Sequence, residues 1–221
     1  MIRKLLSYLF PITIYKTKSN WSKSIEVTWV NGELVMDSQN TNYSYGSLQR
    51  ILRHGLKKIG FRQIKKMDSI LVLGVAGGSV IKTLTDEIQY KGKITGIEID
   101  TEIIKIANSY FNLDQISNLN LLNTDAFEFV LQTKEKYDLI IVDIFQDTKM
   151  PAFLFEIFFT ERLCSLLQKK GFILFNTMIL TKNDTSRNEK YCSEFYQPNF
   201  KIKRIPKVEI HNELILIENI N

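Results

Sequence analysis

Cysteine and histidine are scarce in this chain, with two of each among 221 residues. Cys164 lies in the apolar run Leu163–Leu167 and reads as a small core residue, while Cys192 falls in a polar helical stretch. Neither cysteine, nor His54 or His211, stands at metal-ligand spacing, so a zinc site is excluded and no metal is expected. Two lone cysteines fit a reducing compartment, and the expected location is the cytoplasm. Long apolar runs are also missing. No window approaches the roughly 18 apolar residues of a membrane span, so no membrane partner is expected. The opening MIRKLLSYLFPITIY carries basic residues and then an apolar stretch. Pro11 interrupts it, no small-residue cleavage site follows, and Lys16 and Lys18 come next, so it reads as a short helix running into a strand and not as a signal peptide. A compact basic stripe is absent as well. The net charge of +5 and the pI of about 9.0 come from scattered lysines, which does not favour a nucleic-acid partner. No internal repeat or low-complexity segment stands out.

What is present suits a packed globular chain: 44% apolar and 24% charged residues, with 14 phenylalanines and nine tyrosines. Two parts are expected. Residues 1–45 form a small β-hairpin domain, with strands over Thr13–Thr17, Ser24–Val30 and Glu33–Met36 and a turn at Asn31-Gly32. Residues 46–221 form the second. A helix over Ser47–Ile59 carries apolar residues at Leu48, Ile51, Leu52, Leu56 and Ile59 and stops at Gly60. Strands and helices then alternate: strands at Ile70–Leu73, Lys93–Ile99, Leu119–Asn123, Tyr137–Val142 and Gly171–Asn176, helices at Val80–Ile88, Thr101–Tyr110, Ala126–Gln132 and Pro151–Leu167. Such alternation with apolar strands predicts an α/β fold with a doubly wound parallel sheet covered on both faces. A polar helix over Asp184–Phe195 precedes two strands, Lys201–Ile205 and Glu213–Ile217. They have no room for a crossover and so form an antiparallel hairpin at one edge. Five parallel strands plus that hairpin are the Rossmann-like layout of class I methyltransferases.

Four constellations carry chemistry. Gly74-Val75-Ala76-Gly77-Gly78-Ser79 lies where a strand hands over to a helix, so that backbone can approach a ligand closely. Glu98, with Ile99 and Asp100 after it, ends the next strand about 20 residues on, where an acid accepts hydrogen bonds from ribose hydroxyls. Asp100 or Thr101 also suits the N-cap of the following helix. Asp125, with Ala126 and Phe127, ends the third strand and is placed to take an adenine amino group. The dinucleotide fingerprint GxGxxG is broken by Ala76 and Ser79, which favours an adenosine ligand without a pyrophosphate. Asp143 and Asp147 lie beyond the fourth strand, where ligands of open α/β sheets bind. A carboxylate there holds an amine or takes a proton from an attacking nitrogen. Asp138, at the start of that strand, reads as structural.

The order glycine loop, Glu98-Ile99-Asp100, Asp125-Ala126, Tyr137–Asp143 and a proline-led helix before Lys170-Gly171-Phe172 resembles the spermidine synthase family. The N-terminal hairpin Asn31–Asp37 is similar too. That resemblance implies S-adenosylmethionine or decarboxylated S-adenosylmethionine as the ligand. It places Gly74, Ala76, Gly77, Gly78, Glu98, Ile99, Asp125, Ala126 and Asp143 on the cofactor, with Asp147 and Tyr45 on the catalytic side. The departures lie at the acceptor. The family's GGGDGG loop is GVAGGS here, its YHE run is Tyr45-Gly46-Ser47, and Asp147 fits the catalytic turn only with one residue inserted. A diamine needs paired carboxylates, and losing those acids weakens its recognition by about 1.5–3 kcal/mol per charged hydrogen bond. The leading expectation is a transferase moving a methyl or aminopropyl group to a small acceptor, with a homodimer left open. A nucleoside-binding regulator and an RNA methyltransferase are the alternatives. The latter would use Arg50, Arg53, Lys57, Lys58 and Arg62, although that cluster reads more simply as a solvated helix face.

Overall fold

The computed structural model describes residues 2–38, 42–146, 149–194 and 198–221. The chain opens with a short helix, α1 (Ile2–Leu6), and enters an antiparallel sheet ordered β1 (Ile12–Thr17), β2 (Ile25–Val30), β3 (Glu33–Ser38) and β4 (Asn42–Ser44). Asn31 and Gly32 both take positive φ, 50° and 80°, giving the tight β2–β3 turn that an Asn-Gly pair favours. Strand β4 was not expected, because Asn42-Tyr43-Ser44 shows no apolar alternation.

At Gly46 the chain leaves this sheet and forms α2 (Gly46–Ile59) and the single turn α3 (Phe61–Ile64). Then come β5 (Ser69–Leu73), α4 (Ser79–Lys82), β6 (Lys93–Glu98), α5 (Thr101–Phe111), β7 (Leu119–Asn123), α6 (Ala126–Gln132) and β8 (Tyr137–Val142). The remainder is α7 (Ile157–Ser165), β9 (Leu167–Met178), α8 (Lys182–Glu194), β10 (Phe200–Val208) and β11 (Asn212–Asn219). The second sheet has seven strands in the order β10-β11-β9-β8-β5-β6-β7. Strands β5 to β9 pair in parallel, and β11 runs antiparallel to both β9 and β10, as the hairpin requires. From β5 the chain winds outward to β6 and β7, then returns to build β8 and β9 on the other side. The reversal between β5 and β8 is a topological switch point, and the crevice at its carboxyl end is where a ligand fits.

Alternate residues of β5 feed the two faces of the sheet. Ile70 and Val72 join the cluster that holds Leu52 and Leu56 of α2, whereas Leu71 and Leu73 join the one with Phe159 and Leu163 of α7. The first cluster also takes in Ile25, Val27 and Met36 from the small sheet, so both sheets share one apolar core. Helix α2 lies close over β9 and β11 because Gly55 has no side chain. A Cβ there would stand 2.6 Å from a methyl of Leu174. At the far end of β5, Asp138 accepts the backbone N–H groups of Asp68 and Ser69, both at 2.9 Å, which makes it a structural staple.

Two expected helices differ. The Val80–Ile88 helix begins as α4 and widens into a π-helical turn over Thr83–Glu87. The long helix over Pro151–Leu167 is broken into a 3-10 turn, Ala152–Phe155, and α7, with Glu156 extended between them. The break lets neighbouring aromatics serve different contacts. Phe153 packs edge-on against Phe127 and Phe159, while Phe155 meets Phe175 and Tyr191.

Candidate active site

The glycine loop does two jobs. Gly74 takes φ +84°, and a Cβ on it would run into the Asp143 carbonyl oxygen, so the ends of β5 and β8 approach as only glycine allows. Gly74 and Ala76 face a cavity of about 380 Å³ at the switch point, a volume within the usual range for small-ligand sites. Gly77 and Gly78 turn elsewhere. A Cβ on Gly77 would meet Ser44 at 2.8 Å, and one on Gly78 would meet Leu113. These two glycines dock the loop against Ser44 of β4 and against Leu113 in the turn after α5, and they do not line the cavity.

Glu98 is buried at the end of β6. One carboxylate oxygen accepts the Ala76 N–H and the other the Asp100 N–H, each at 3.0 Å. Burial pushes its carboxyl above the ordinary value, the backbone donors oppose this, and the charge of Asp100 adds to it. Each oxygen keeps a lone pair, so the group can still receive ribose hydroxyls. Asp100 caps α5 by accepting the Glu102 N–H at 2.9 Å. It also accepts the Ser19 hydroxyl from the β1–β2 loop. Ser19 in turn receives the N–H groups of Trp21 and Ser22 at 3.1 and 3.0 Å, so this small loop is folded against Asp100 beyond β6 and Trp21 lines the cavity. Asp125 caps α6, one oxygen taking the N–H groups of Phe127 and Glu128 at 2.7 and 3.1 Å. Its second oxygen is available to an exocyclic amine. Ile99 and Ala126 line the same wall.

Asp143 stands at the centre. It accepts the Asn176 amide at 2.8 Å, and Asn176 accepts the Asn212 amide at 3.0 Å. Burial raises the Asp143 carboxyl to about 7, with Asn176 pulling against the shift and Glu98 adding to it. Among the described residues, four carboxylates (Glu98, Asp100, Asp125 and Asp143) line this cavity and no lysine or arginine does. Such a site favours a cation and disfavours an added carboxylate.

The two catalytic expectations fare differently. Asp147 lies outside the described residues. Tyr45 is placed, but not in the cavity wall: its ring stacks on Phe111 of α5 with centroids 4.6 Å apart. Burial and the charge of Asp86 raise its phenol well above the ordinary value, which keeps it protonated at neutral pH. Arg50 and Arg53 of α2 are engaged, Arg50 by Glu209 at 2.8 Å and Arg53 by Glu87, which shrinks the phosphate-facing set. No metal-holding group of side chains occurs among the described residues, and no helix among them is long and apolar enough to cross a membrane. Sequence reading missed Ser19, Trp21 and Asn176. A lone polar residue at the end of the buried run Phe172–Phe175 was a usable signal for Asn176, whereas the β1–β2 loop offered none.

Residues 50–210 match the family model described as the spermine/spermidine synthase domain. The chain belongs to the spermine/spermidine synthase family. The polyamine aminopropyltransferase of Buchnera aphidicola subsp. Acyrthosiphon pisum (strain Tuc7) is 33% identical over 146 residues, covering 59% of this chain and 50% of that protein. The polyamine aminopropyltransferase of Vibrio vulnificus (strain CMCP6) is 31% identical over 157 residues, covering 68% of this chain and 50% of that protein. The chain thus spans about half the length of the curated relatives it matches. Spermidine synthase from Thermotoga maritima superposes with a TM-score of 0.68 at 15% identity, over 95% of this chain and 73% of that one. Human methyltransferase-like protein 13 in complex with SAH gives 0.64 at 18% identity, over 78% and 82%. These likenesses show a shared class I methyltransferase fold. Within this spermine/spermidine synthase domain the acids sit at the ends of β6, β7 and β8, so family membership and site geometry meet at one crevice.

Proposed function

We propose that this chain transfers an aminopropyl group from decarboxylated S-adenosylmethionine to a small amine, releasing methylthioadenosine. The observation that carries the reading is the charge of the cavity: four carboxylates and no lysine or arginine among the described lining residues. Decarboxylated S-adenosylmethionine offers a sulfonium and an ammonium, both cationic. S-adenosylmethionine itself adds a carboxylate that would approach Asp143 with no lysine or arginine among the described lining residues to pair it, which costs several kcal/mol in a poorly solvated site. Membership of the spermine/spermidine synthase family supports the same choice.

The donor supplies an electrophilic carbon next to a positively charged sulfur. Glu98 holds the ribose hydroxyls and Asp125 the adenine amine. Gly74 and Ala76 let the loop come close to the nucleoside. Asp143 steadies the charged tail at the switch point, oriented by Asn176. When the amine nitrogen attacks, a C–N bond forms, the C–S bond breaks, and the sulfur leaves neutral. The nitrogen then sheds a proton. Asp143, held ionised beside the bound cation, is placed to receive it. Asp147, four residues before Pro151 in sequence, is retained as a second candidate acid. Tyr45 supports the glycine loop from behind and is proposed as a positioning residue.

The reading is tested by incubating the chain with decarboxylated S-adenosylmethionine and a panel of amines and following methylthioadenosine. Release that depends on the amine, with an equal yield of aminopropylated product, is expected. Methylated product from S-adenosylmethionine would contradict it.

A further inference from the structure

Helix α1 turns its apolar stripe away from the protein. Its hydrogen bonding continues past Leu6, with the Ser7 N–H on the Arg3 carbonyl at 3.0 Å and the Phe10 N–H on the Leu6 carbonyl at 3.3 Å, so residues 2–10 form one short helical segment. The side that holds it to the small sheet is polar. Ser7 is buried, donates to the Lys4 carbonyl at 2.7 Å and accepts the Gly32 N–H at 2.9 Å, while its own carbonyl accepts the Asn31 N–H at 2.9 Å. The Lys4 ammonium lies 5.8 Å from the centre of the Trp29 ring. Ile2, Leu5, Leu6 and Leu9 fall at the i, i+3, i+4, i+7 spacing of a single helical face. With Phe10 after them, all five are exposed, from 39% at Leu6 to 79% at Leu9. An amphipathic helix normally buries such a stripe against its own core. Single exposed apolar residues are ordinary, but a patch of this density marks an interaction surface.

Charge decides which partner fits. The first 25 residues hold Arg3, Lys4, Lys16, Lys18 and Lys23 and no acid, so this stretch carries a charge equal to the +5 of the whole chain. Arg3 and Lys4 are exposed on the helix itself, whereas Lys16 is paired with Glu26 at 2.6 Å. We propose that residues 2–10 dock on an anionic phospholipid surface. The five apolar side chains enter the boundary between headgroups and acyl chains, and Arg3 and Lys4 meet the anionic headgroups. Crossing a bilayer takes a long apolar helix, and none occurs among the described residues; lying on its surface takes only a stripe of this kind. A second copy of the chain fits the face less well. An isologous contact would bring both copies of Arg3 and Lys4 into one interface, and so short a segment falls below the roughly 20–30 residues per side of a stable one.

The test is co-sedimentation of the whole chain with vesicles of phosphatidylcholine mixed with phosphatidylserine, compared with vesicles of phosphatidylcholine alone. Binding to the mixed vesicles is expected, weakening as salt is raised, and about tenfold or more weaker on the neutral ones. Equal binding to both, or binding to neither, overturns the proposal. Leu5→Ser combined with Leu9→Ser leaves the charge unchanged and replaces only exposed side chains, so the fold is expected to be kept, as far-ultraviolet dichroism will show. That variant should lose vesicle binding. Retained binding would mean that lysines elsewhere attract the anionic surface without the apolar face, and the proposal would fail. Arg3→Ser combined with Lys4→Ser should weaken binding to the mixed vesicles about tenfold or more, and an unchanged affinity counts against it equally. Sedimentation equilibrium without vesicles covers the other occupant: a dimer that the leucine variant dissolves would assign the face to a second copy and overturn the lipid assignment.

Discussion

Asp143 combines three properties that rarely meet in one side chain: it ends a parallel strand at the switch point, its neighbours are amides, and its carboxyl is raised to about 7. An ordinary carboxylate titrates near 3.9. With its folded value raised, the neutral form contributes stability that is complete below the unfolded value and is lost as pH rises through about 7. The melting temperature of the free chain is therefore expected to fall by about 2–4 °C between pH 6 and pH 8, and Asp143→Asn should flatten that slope. A slope that persists in the variant would assign it to another group, Glu98 being the first alternative because burial raises it as well. Binding of a cation runs the other way: it favours ionised Asp143, so affinity should increase with pH over the same window. Glu98→Ala removes the proposed ribose acceptor and should weaken nucleoside binding by about 1.5–3 kcal/mol, read by calorimetry. Undiminished affinity would refute the ribose role.

Among the elements, the β1–β2 loop has the most to say about how the site is closed. Its fold depends on Ser19, which donates to Asp100 and accepts from Trp21 and Ser22. Ser19→Ala should cost about 1.5–3 kcal/mol of loop docking, as loss of a hydrogen bond to a charged group does. Amide exchange should accelerate over residues 18–24, and unaltered exchange there would mean the loop is held otherwise. Helix α2 depends instead on closeness. Gly55→Val would push β-branched bulk into Leu174 and Leu214, and overpacking of that kind costs about 1–3 kcal/mol, measurable by denaturant unfolding. Elements with clear boundaries were legible in sequence: β7, α6 and β8 stand where apolar runs end in Asn123, Gln132 and Asp143. The break at Glu156 was not, since apolar residues flank it and only the division of Phe153 and Phe155 between two aromatic groups explains it. The early part of β9 was hidden by Gln168-Lys169-Lys170, an irregular polar stretch where the register against β8 shifts.

Among the described residues the two sheets share one of two apolar clusters. Ile25, Val27 and Met36 of the small sheet pack in the same cluster as Leu52, Leu56 and Val72, so residues 1–45 and 46–221 are proposed to unfold together. Both tryptophans, Trp21 and Trp29, lie in the first part. Their fluorescence therefore reports the small sheet, whereas far-ultraviolet dichroism reports the entire chain. The two transitions should coincide, and an earlier fluorescence transition would make the small sheet a separate unit. At this scale the site was half legible. Glu98, Asp125 and the glycine loop are local motifs, each readable from a strand end. The other half of the cavity is assembled from Asp143, Asn176, Asn212 and α2, which come together only through the strand order, and no local pattern announces that. The claim on which the rest depends is the preference for a fully cationic donor. Parallel calorimetric titration of the chain with decarboxylated S-adenosylmethionine and with S-adenosylmethionine tests it most directly. The decarboxylated form is expected to bind at least about tenfold more tightly, because no lysine or arginine among the described lining residues receives the extra carboxylate; equal affinity, or tighter binding of S-adenosylmethionine, would contradict it.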